Sequence, residues 1–183
     1  FKMTKKFNSV LIIGMGLIGS SISRALIENH VANNVYGLEN DDKVLKKCQE
    51  LNLLIQGETN IEKFDLQFDL IIICTPLSAY EKIFLDLDSF VSQPTLVTDV
   101  GSTKLSTIKD YNKLKQNSNI SFVPSHPIAG LEKSGPEFGF SKLFLNRYCI
   151  LTPFQKNDLA LKTISEMWKA LGMTIEIMDA ERH

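Results

Sequence analysis

A histidine in a short polar segment is the first candidate for chemistry in this sequence. Residues 125–135 read SHPIAGLEKSG, a run too polar for a core strand and too broken for a helix, so we expect a loop that carries His126. The pKa of an unperturbed imidazole lies near neutral pH, which suits His126 to accept a proton from a substrate hydroxyl. In the same loop, Glu132 is expected at the mouth of a pocket. The alternative for His126 is a structural or exposed residue without chemistry.

A second candidate segment, DVGSTK at residues 99–104, carries a hydroxyl and a cation. Ser102 is expected to hydrogen-bond the same substrate hydroxyl and to fix its angle. Lys104 is expected to attract an anionic substrate or to help order the loop. The simpler alternatives are that Ser102 caps the helix that follows and that Lys104 is a solvated charge.

Three glycines form a candidate phosphate-binding loop. VLIIGMGLIGS places Gly14, Gly16 and Gly19 in a G-x-G-x-x-G spacing between a predicted strand and a predicted helix. The first glycine permits a tight turn, the second lets the backbone approach a diphosphate, and the third lets helix and strand pack closely. Exposed N–H groups where the helix begins, at Leu17 and Ile18, are expected to hold the phosphates. The alternative is a plain glycine-rich turn.

An acidic residue follows the second predicted strand. Glu39 lies twenty residues after Gly19, where a carboxylate accepts hydrogen bonds from an adenosine ribose. A carboxylate there would repel a 2′-phosphate, and no arginine follows it. The sequence therefore favours NAD over NADP as cofactor, the alternative for Glu39 being a solvated acid at a strand end.

The elements that position these residues alternate between strands and helices. The predicted strands are residues 8–13, 34–38, 53–56, 69–74, 95–99 and 120–123, and later 148–151 and 174–178. The predicted helices are residues 17–28, from Asp41 or Asp42 to about Leu51, 78–90, from GSTK to about Gln116, and 157–171 with Gly172 at its end. This order predicts an α/β fold of Rossmann type, with a mostly parallel sheet and helices on both faces.

Ligands of open α/β sheets bind beyond the carboxyl ends of the strands. Thr75 and Pro76 follow the fourth predicted strand, and Gly101 follows the fifth. The loop with His126 leaves the sheet from the same edge. We therefore expect these loops to line the cofactor site, with His126 near the nicotinamide end of a bound dinucleotide.

Composition narrows the class of protein. With 183 residues, 44% of them hydrophobic, the chain suits one domain with a sizeable core. A net charge of −1 without a basic face argues against nucleic acid as a partner. The apolar runs are too short to span a bilayer, so no membrane partner is expected. Three cysteines without a CxxC pair indicate buried free thiols in a reducing cytoplasm, and no metal site is predicted.

Several motifs together resemble the prephenate dehydrogenase family. They are GMGLIG, the strand-end CTP, DVGSTK, SHPIAGLEKSG and FLNRYCILTP, which match in order and spacing across nearly the whole chain. The resemblance implies NAD-dependent oxidative decarboxylation of prephenate to 4-hydroxyphenylpyruvate, in tyrosine biosynthesis. It also implies that His126 accepts or polarises the hydroxyl proton, that Ser102 contacts the hydroxyl, and that Glu132 lies by the pocket entrance.

Two features depart from the family pattern. Leu131 occupies a position where the family usually has threonine or a similar polar residue, which affects the pocket mouth. Family members also continue into a helical C-terminal domain that forms a homodimer and supplies an arginine for a substrate carboxylate. The resemblance therefore implies a dinucleotide-binding domain at residues 1–178 and the start of a connection at 179–183. It also implies that His183, at that junction, is a substrate-site residue.

Three alternatives stay open at this point. An arogenate dehydrogenase performs the same chemistry on the amino acid analogue. A dehydrogenase of related fold acting on 3-hydroxy acids is disfavoured by the pairing of DVGSTK with HPIAG. A non-catalytic dinucleotide-binding module would bind NAD without turnover. Trp168 and Phe138 are expected to be packing residues in each case.

Overall fold

The architecture is that of two sheets, the larger of them parallel throughout. The computed structural model describes residues 1–3, 5–115 and 118–183. The strands of the large sheet are β1 (Phe7–Ile13), β2 (Ala32–Leu38), β3 (Gln56–Glu58), β4 (Leu70–Ile73), β5 (Thr95–Asp99) and β6 (Ile120–Val123). Their spatial order is β3-β2-β1-β4-β5-β6. This order and the parallel pairing confirm the predicted Rossmann-type fold, whose strand order reverses between β1 and β4.

Helices lie on both faces of this sheet. They are α1 (Leu17–Glu28), α2 (Asp42–Glu50), α3 (Tyr80–Phe90), α4 (Leu105–Tyr111) and α5 (Asp158–Ala170). Side chains cap two of them, because Asp41 accepts a hydrogen bond from the Lys43 N–H (2.9 Å) and Asn157 accepts one from the Ala160 N–H (3.0 Å). Shorter 3₁₀ turns occur at Ile61–Lys63, Leu77–Ala79, Pro136–Phe138 and Ser141–Phe144.

The central strands are buried on both faces, which divides the core into two clusters. Successive side chains of a strand point to opposite faces. Val10 and Ile12 of β1 accordingly pack in the cluster that includes Trp168 of α5. Leu11 and Ile13 pack in the cluster formed with α3 and its aromatic residues. The four residues of β4 are 0% exposed, as its continuous apolar sequence predicts.

A second, three-stranded sheet holds the histidine segment. Its strands are β7 (Ser125–Pro127), β8 (Tyr148–Leu151) and β9 (Thr174–Ile177). β7 runs antiparallel to β8, and β8 runs parallel to β9. The prediction of a loop at the start of the 125–135 segment is therefore wrong for three residues. Their sequence has no alternating pattern, and the pairing of His126 with Ile150 is visible only in the tertiary structure.

Most predicted elements lie within two residues of the observed ones, with two exceptions. The third strand was expected at residues 53–56, but β3 is Gln56–Glu58, because Leu53 belongs to the turn that follows α2, where its N–H donates to the Cys48 carbonyl at 3.1 Å. The fourth helix ends at Tyr111, and its predicted end at Gln116 lies outside the described residues. Gly172 follows Leu171, the C-cap residue of α5, and has φ of +97°, which confirms the predicted glycine stop.

The three cysteines are free thiols, as predicted; Cys48 and Cys149 are buried, but Cys74 is only partly buried, so the prediction of burial is wrong for that residue. Burial raises the pKa of the Cys48 thiol to about 11, so it is uncharged at neutral pH. Within the described ranges, no helix combines the length and the apolar character needed to cross a membrane.

Candidate active site

The glycine loop after β1 is tight and leaves its backbone accessible. Gly14 has φ of +93°, and a Cβ there would lie 2.8 Å from the Cys74 carbonyl oxygen. A Cβ on Gly19 would collide with the carbonyl oxygen of Gly14. At Gly16, in contrast, a Cβ would meet no atom within 4 Å. The first and third glycines are therefore required by the fold, whereas the second keeps an open surface clear at the start of α1.

The first turn of α1 is suited to an anion. Gly16 is the N-cap residue and provides no side-chain acceptor, and none of the described residues in that turn is acidic. The side chain of Leu17 is buried, and that of Ile18 packs partly against the core. These two residues can therefore offer only backbone N–H groups to a ligand. Unpaired N–H groups and the positive end of the helix dipole favour a phosphate at this position.

Glu39, directly after β2, is bound to the glycine loop. Its Oε1 accepts a hydrogen bond from the Met15 N–H at 3.0 Å, and its Oε2 accepts one from the Asp41 N–H at 2.9 Å. The side chain is half-buried. The carboxylate therefore holds the glycine loop and is not a free strand-end group. Each carboxylate oxygen has a second lone pair, so the group can still accept hydrogen bonds from a ligand.

The loops after β4 and β5 meet at the same edge of the sheet. A Cβ on Gly14 would lie 3.1 Å from Thr75 Cγ2, which places the residue before Pro76 against the glycine loop. A Cβ on Gly101 would lie 2.8 Å from Leu77 Cδ2 and 2.9 Å from the Tyr80 hydroxyl. The predicted cofactor residues are thus brought together along the carboxyl ends of β1, β2, β4 and β5.

Ser102 is exposed on the loop after β5. The helix that follows begins at Leu105 and has Lys104 as its N-cap residue. The alternative that Ser102 caps this helix is therefore wrong. Its hydroxyl remains available at the rim of the site.

Lys104 is buried, contrary to the expectation of a solvated charge. Its side chain and that of Asp99 are both 0% exposed, and its Nζ lies 2.6 Å from Asp99 Oδ2. The ammonium also donates a hydrogen bond to the Ser125 carbonyl oxygen at 2.7 Å. Of the two expected roles, the structure gives Lys104 the ordering of the loop, and its contacts with protein atoms replace the predicted contact with substrate.

Asp99, which sequence reasoning did not single out, is the centre of this buried network. Its Oδ1 accepts a hydrogen bond from the Ser125 N–H at 2.9 Å. Its Oδ2 accepts from the Tyr80 hydroxyl (2.9 Å), the Gly101 N–H (3.0 Å) and the Lys104 ammonium (2.6 Å). Burial and the Asp99 charge raise the pKa of Tyr80 far above its usual range. The sequence signal was an aspartate as the last residue of a buried strand.

His126 is half-buried and is paired with the second histidine of the site. Its Nδ1 lies 2.8 Å from His183 Nε2, and the two rings meet edge to face with centroids 5.0 Å apart. A turn closed by the His183 N–H and the Asp179 carbonyl (3.1 Å) returns the chain to this position. The structure therefore brings together His126 and His183, which are distant in the sequence.

The surroundings of His126 favour its neutral form. Burial is the largest cause that lowers its pKa, followed by the nearby His183 and Lys104, while Asp99 acts in the opposite direction. The net shift is downward from the usual value for histidine. The imidazole is therefore neutral at pH 7, as a proton acceptor must be.

Other candidates lie outside this cluster. Glu132 is exposed on the segment after β7. Phe138 is 42% exposed, with the Lys133 ammonium 5.0 Å from its ring centroid, so it lies outside the buried core. Trp168 is buried as predicted, and its indole N–H donates a hydrogen bond to the Ser125 hydroxyl at 3.1 Å. Ser125 was missed because it shows no pattern in the sequence.

Comparison with known proteins identifies relatives of this chain. The family model for the nucleotide-binding domain of prephenate dehydrogenase matches residues 22–177. Cyclohexadienyl dehydrogenase of Zymomonas mobilis is 33% identical over 97% of this chain and 60% of that protein. Prephenate dehydrogenase of Bacillus subtilis is 31% identical over 99% of this chain and 49% of that protein.

A solved structure agrees with these matches. Prephenate dehydrogenase from Aquifex aeolicus, in complex with hydroxyphenyl propionate and NAD⁺, superposes with a TM-score of 0.91 and 30% identity. The match covers 99% of this chain and 63% of that one. The chain thus spans about half to three fifths of the relatives it matches. It belongs to the prephenate dehydrogenase family, of which it carries the nucleotide-binding domain.

Proposed function

We propose that this chain binds NAD along the carboxyl edge of its six-stranded sheet and forms the dinucleotide-binding part of a dehydrogenase that acts on prephenate. The observation that carries the proposal is the placement of two groups on one side of the fold. The glycine loop after β1 is hydrogen-bonded to Glu39, and His126, whose ring contacts His183, follows Ser125, which is bound to Asp99 at the carboxyl end of β5. The names of the matched relatives support the same substrate class.

The residues at this edge fit a dinucleotide. A Cβ at Gly16 would project into open space at the start of α1, where a diphosphate can approach the backbone. We assign the diphosphate to the glycine loop and the first turn of α1, the adenosine ribose to Glu39, and the nicotinamide end to the later loops. The residues in these roles are Gly14, Gly16, Leu17, Ile18 and Gly19, then Glu39, then Thr75, Pro76 and Gly101. When bound, NAD supplies the acceptor for a hydride.

We assign the role of proton acceptor to Nε2 of His126. Because Nδ1 faces His183 Nε2, a proton on Nδ1 that is donated to His183 leaves the Nε2 lone pair available. The lowered pKa of His126 keeps that lone pair unprotonated at neutral pH. The exposed hydroxyl of Ser102 is assigned to the substrate hydroxyl, and Glu132 to the entrance. His183 is assigned to the substrate site through its contact with His126.

The chemistry asks little of the protein beyond orientation and this proton transfer. The carbon that bears the ring hydroxyl loses a hydride, and the hydroxyl proton passes to His126. The electron pair of the bond to the ring carboxylate moves into the ring as carbon dioxide leaves. The ring becomes aromatic, and its phenolate oxygen takes a proton back from His126, giving 4-hydroxyphenylpyruvate. Positioning of the reacting groups can supply much of the rate acceleration for such a reaction.

We propose that residues 1–178 form the dinucleotide-binding domain and that 179–183 begin the connection to the remainder of a longer protein. In the relatives, the matched region is 47% to 60% of the length. An arginine for the substrate carboxylate and a homodimer contact are assigned to that remainder.

Arogenate is a second candidate substrate. The Zymomonas mobilis relative is named for the cyclohexadienyl ring, which prephenate and arogenate share. The two compounds differ by a keto or amino group on the side chain, away from the carbon that loses the hydride. The roles of His126 and Ser102 are therefore the same for both substrates.

The test is NADH formation, followed by absorbance, with the full-length protein that contains this chain. Prephenate and arogenate are each assayed with NAD and with NADP. We expect turnover of prephenate with NAD. Turnover of arogenate alone would change the substrate and keep the mechanism. NAD binding without turnover of either compound would contradict the enzyme assignment and leave a dinucleotide-binding module.

A further inference from the structure

We propose that Ser125 and the buried Asp99–Lys104 pair are the positioning device of His126. The inference rests on the proposed function, because it assigns these residues a role in orienting the catalytic base. None of them is placed in contact with substrate. They act through the backbone that carries the imidazole.

Ser125 is anchored through every polar group it has. It is 0% exposed, and its N–H donates to Asp99 Oδ1 at 2.9 Å while its carbonyl accepts from the Lys104 ammonium at 2.7 Å. Its hydroxyl accepts the Trp168 indole N–H at 3.1 Å and lies 2.6 Å from the Thr98 hydroxyl. Side chains from β5, α5 and the start of α4 thus converge on the residue directly before His126.

The direction of these hydrogen bonds is determined. The Thr98 hydroxyl donates its only proton to the Val123 carbonyl at 2.7 Å. The 2.6 Å contact between Thr98 and Ser125 therefore requires Ser125 to donate. Trp168, which can only donate, supplies the bond that the Ser125 oxygen accepts. Alanine at position 125 would break this chain of bonds at its centre.

The location of the anchor explains why it acts on His126. Ser125 is the first residue of β7, at the point where the chain passes from the large sheet to the small one. Pro124 and Pro127 stand on either side of Ser125 and His126 and restrict the backbone there. With the N–H and carbonyl of Ser125 both held, the direction in which the His126 side chain leaves β7 is set by Asp99 and Lys104.

Burying an ion pair is weak as a source of stability, since desolvation of both charges offsets most of their attraction. Burial accordingly lowers the pKa of Lys104, against the opposing effect of Asp99. The role of the pair is better explained by the additional hydrogen bonds that Asp99 and Lys104 make. One oxygen of Asp99 and one proton of Lys104 are directed at the two backbone groups of Ser125.

The same pair also contributes to the field at His126. The charged and titratable groups that face the imidazole are His183, Lys104 and Asp99. On the small sheet, the buried Cys149 thiol lies against the His126 backbone, and Glu176 lies in register beyond Ile150. Lys104 disfavours the protonated imidazole and Asp99 favours it. Removing Lys104 alone should therefore raise the pKa of His126.

The first test is Ser125→Ala in the full-length protein, with Ser23→Ala as its matched control. Both serines are 0% exposed, and the Ser23 hydroxyl donates one buried hydrogen bond, to the Leu53 carbonyl. We expect Ser125→Ala to lower kcat by about 10- to 100-fold with little change in the KM for NAD. Ser23→Ala should lose similar thermal stability and keep its kcat. Equal kcat in the two variants would overturn the proposal.

A second measurement does not need turnover. The rate at which diethyl pyrocarbonate modifies His126, quantified by mass spectrometry across pH, reports the pKa and the accessibility of the imidazole in the substrate-free protein. Lys104→Met should move the midpoint to higher pH, and Ser125→Ala should raise the plateau rate severalfold. An unchanged midpoint in the first variant together with an unchanged plateau in the second would overturn the inference, whatever the enzyme's substrate. If Lys104→Met does not fold, Trp168→Phe takes its place through the plateau rate, because it removes the N–H donor to Ser125, together with part of the buried ring.

Discussion

Replacing Glu39 by glutamine tests the link between the glycine loop and cofactor choice. Both carboxylate oxygens accept a backbone N–H, from Met15 and from Asp41. An amide has one oxygen and one NH₂ group, so either orientation leaves one of these N–H donors facing another donor. Because the Asp41 N–H is exposed and the Met15 contact is partly buried, the amide oxygen should keep Met15 and release Asp41 to water.

The size of the effect follows from these contacts. A hydrogen bond to a charged group contributes about 1.5–3 kcal/mol, and an exposed one contributes less because water replaces it. We therefore expect Glu39→Gln to reduce the free energy of unfolding by about 1–2 kcal/mol. The contact between residue 39 and the ribose of NAD should weaken as well, and we expect the KM for NAD to rise about tenfold. The KM for NADP should stay the same or fall, because a negative charge that repels the 2′-phosphate is removed.

The assay is the ratio of kcat/KM for NAD to that for NADP, measured with the full-length protein beside its thermal midpoint. Glu58→Gln is the control, since Glu58 ends β3 at the same sheet edge and its carboxylate accepts a hydrogen bond from the Gln56 side chain. The control should leave the ratio unchanged. If Glu39→Gln also leaves the ratio unchanged, Glu39 does not contact the ribose and the assignment of the cofactor site fails at this residue.

Three further predictions concern the base, its partner and the glycines. His126→Asn should lower kcat by about 100-fold or more while NAD affinity, measured by fluorescence titration, is kept; retained turnover would remove its assigned role. Since His183 lowers the pKa of His126, His183→Phe should raise that pKa and move the acid limb of the kcat/KM profile to higher pH. His183→Gln keeps a hydrogen-bond acceptor and should recover most of the kcat relative to His183→Phe. Gly19→Ala should lower the thermal midpoint, because its Cβ would collide with the Gly14 carbonyl, whereas Gly16→Ala should keep the midpoint and weaken NAD binding. Equal midpoints for the two glycine variants would contradict the geometry of the loop.

Local patterns were enough to predict much of the large sheet. The helix Leu17–Glu28 and the strand Thr95–Asp99 have their predicted bounds, because apolar spacing, a glycine turn and flanking polar residues are all contained in the segment itself. The position of Glu39 at the cofactor edge was predictable for a similar reason. In a parallel sheet, the carboxyl ends of all strands lie at the same edge, so a residue that follows a strand has a predictable location.

The identity of β7 and the environment of Lys104 were not predictable in this way. β7 exists through pairing with β8, and the burial of Lys104 depends on Asp99 accepting its charge and on Ser125 accepting its hydrogen bond. A lysine in the first turn of a short helix reads as solvated when only its neighbours in the sequence are considered. Lys104 is buried because Asp99 and Ser125 bind its ammonium in the folded chain.

Some properties of the candidate base His126 were predictable from the sequence, and others depend on the tertiary structure. His126 was predicted to be a proton acceptor near the cofactor because it is a histidine that follows a strand. This prediction needed only the residues close to it in the sequence. The contact of its Nδ1 with His183, the lowering of its pKa and the anchoring of Ser125 come from groups on β5, α5 and the last turn of the chain. Burial and electrostatic effects depend on distance in space, so only the folded chain could decide which nitrogen of His126 is available and in which protonation state.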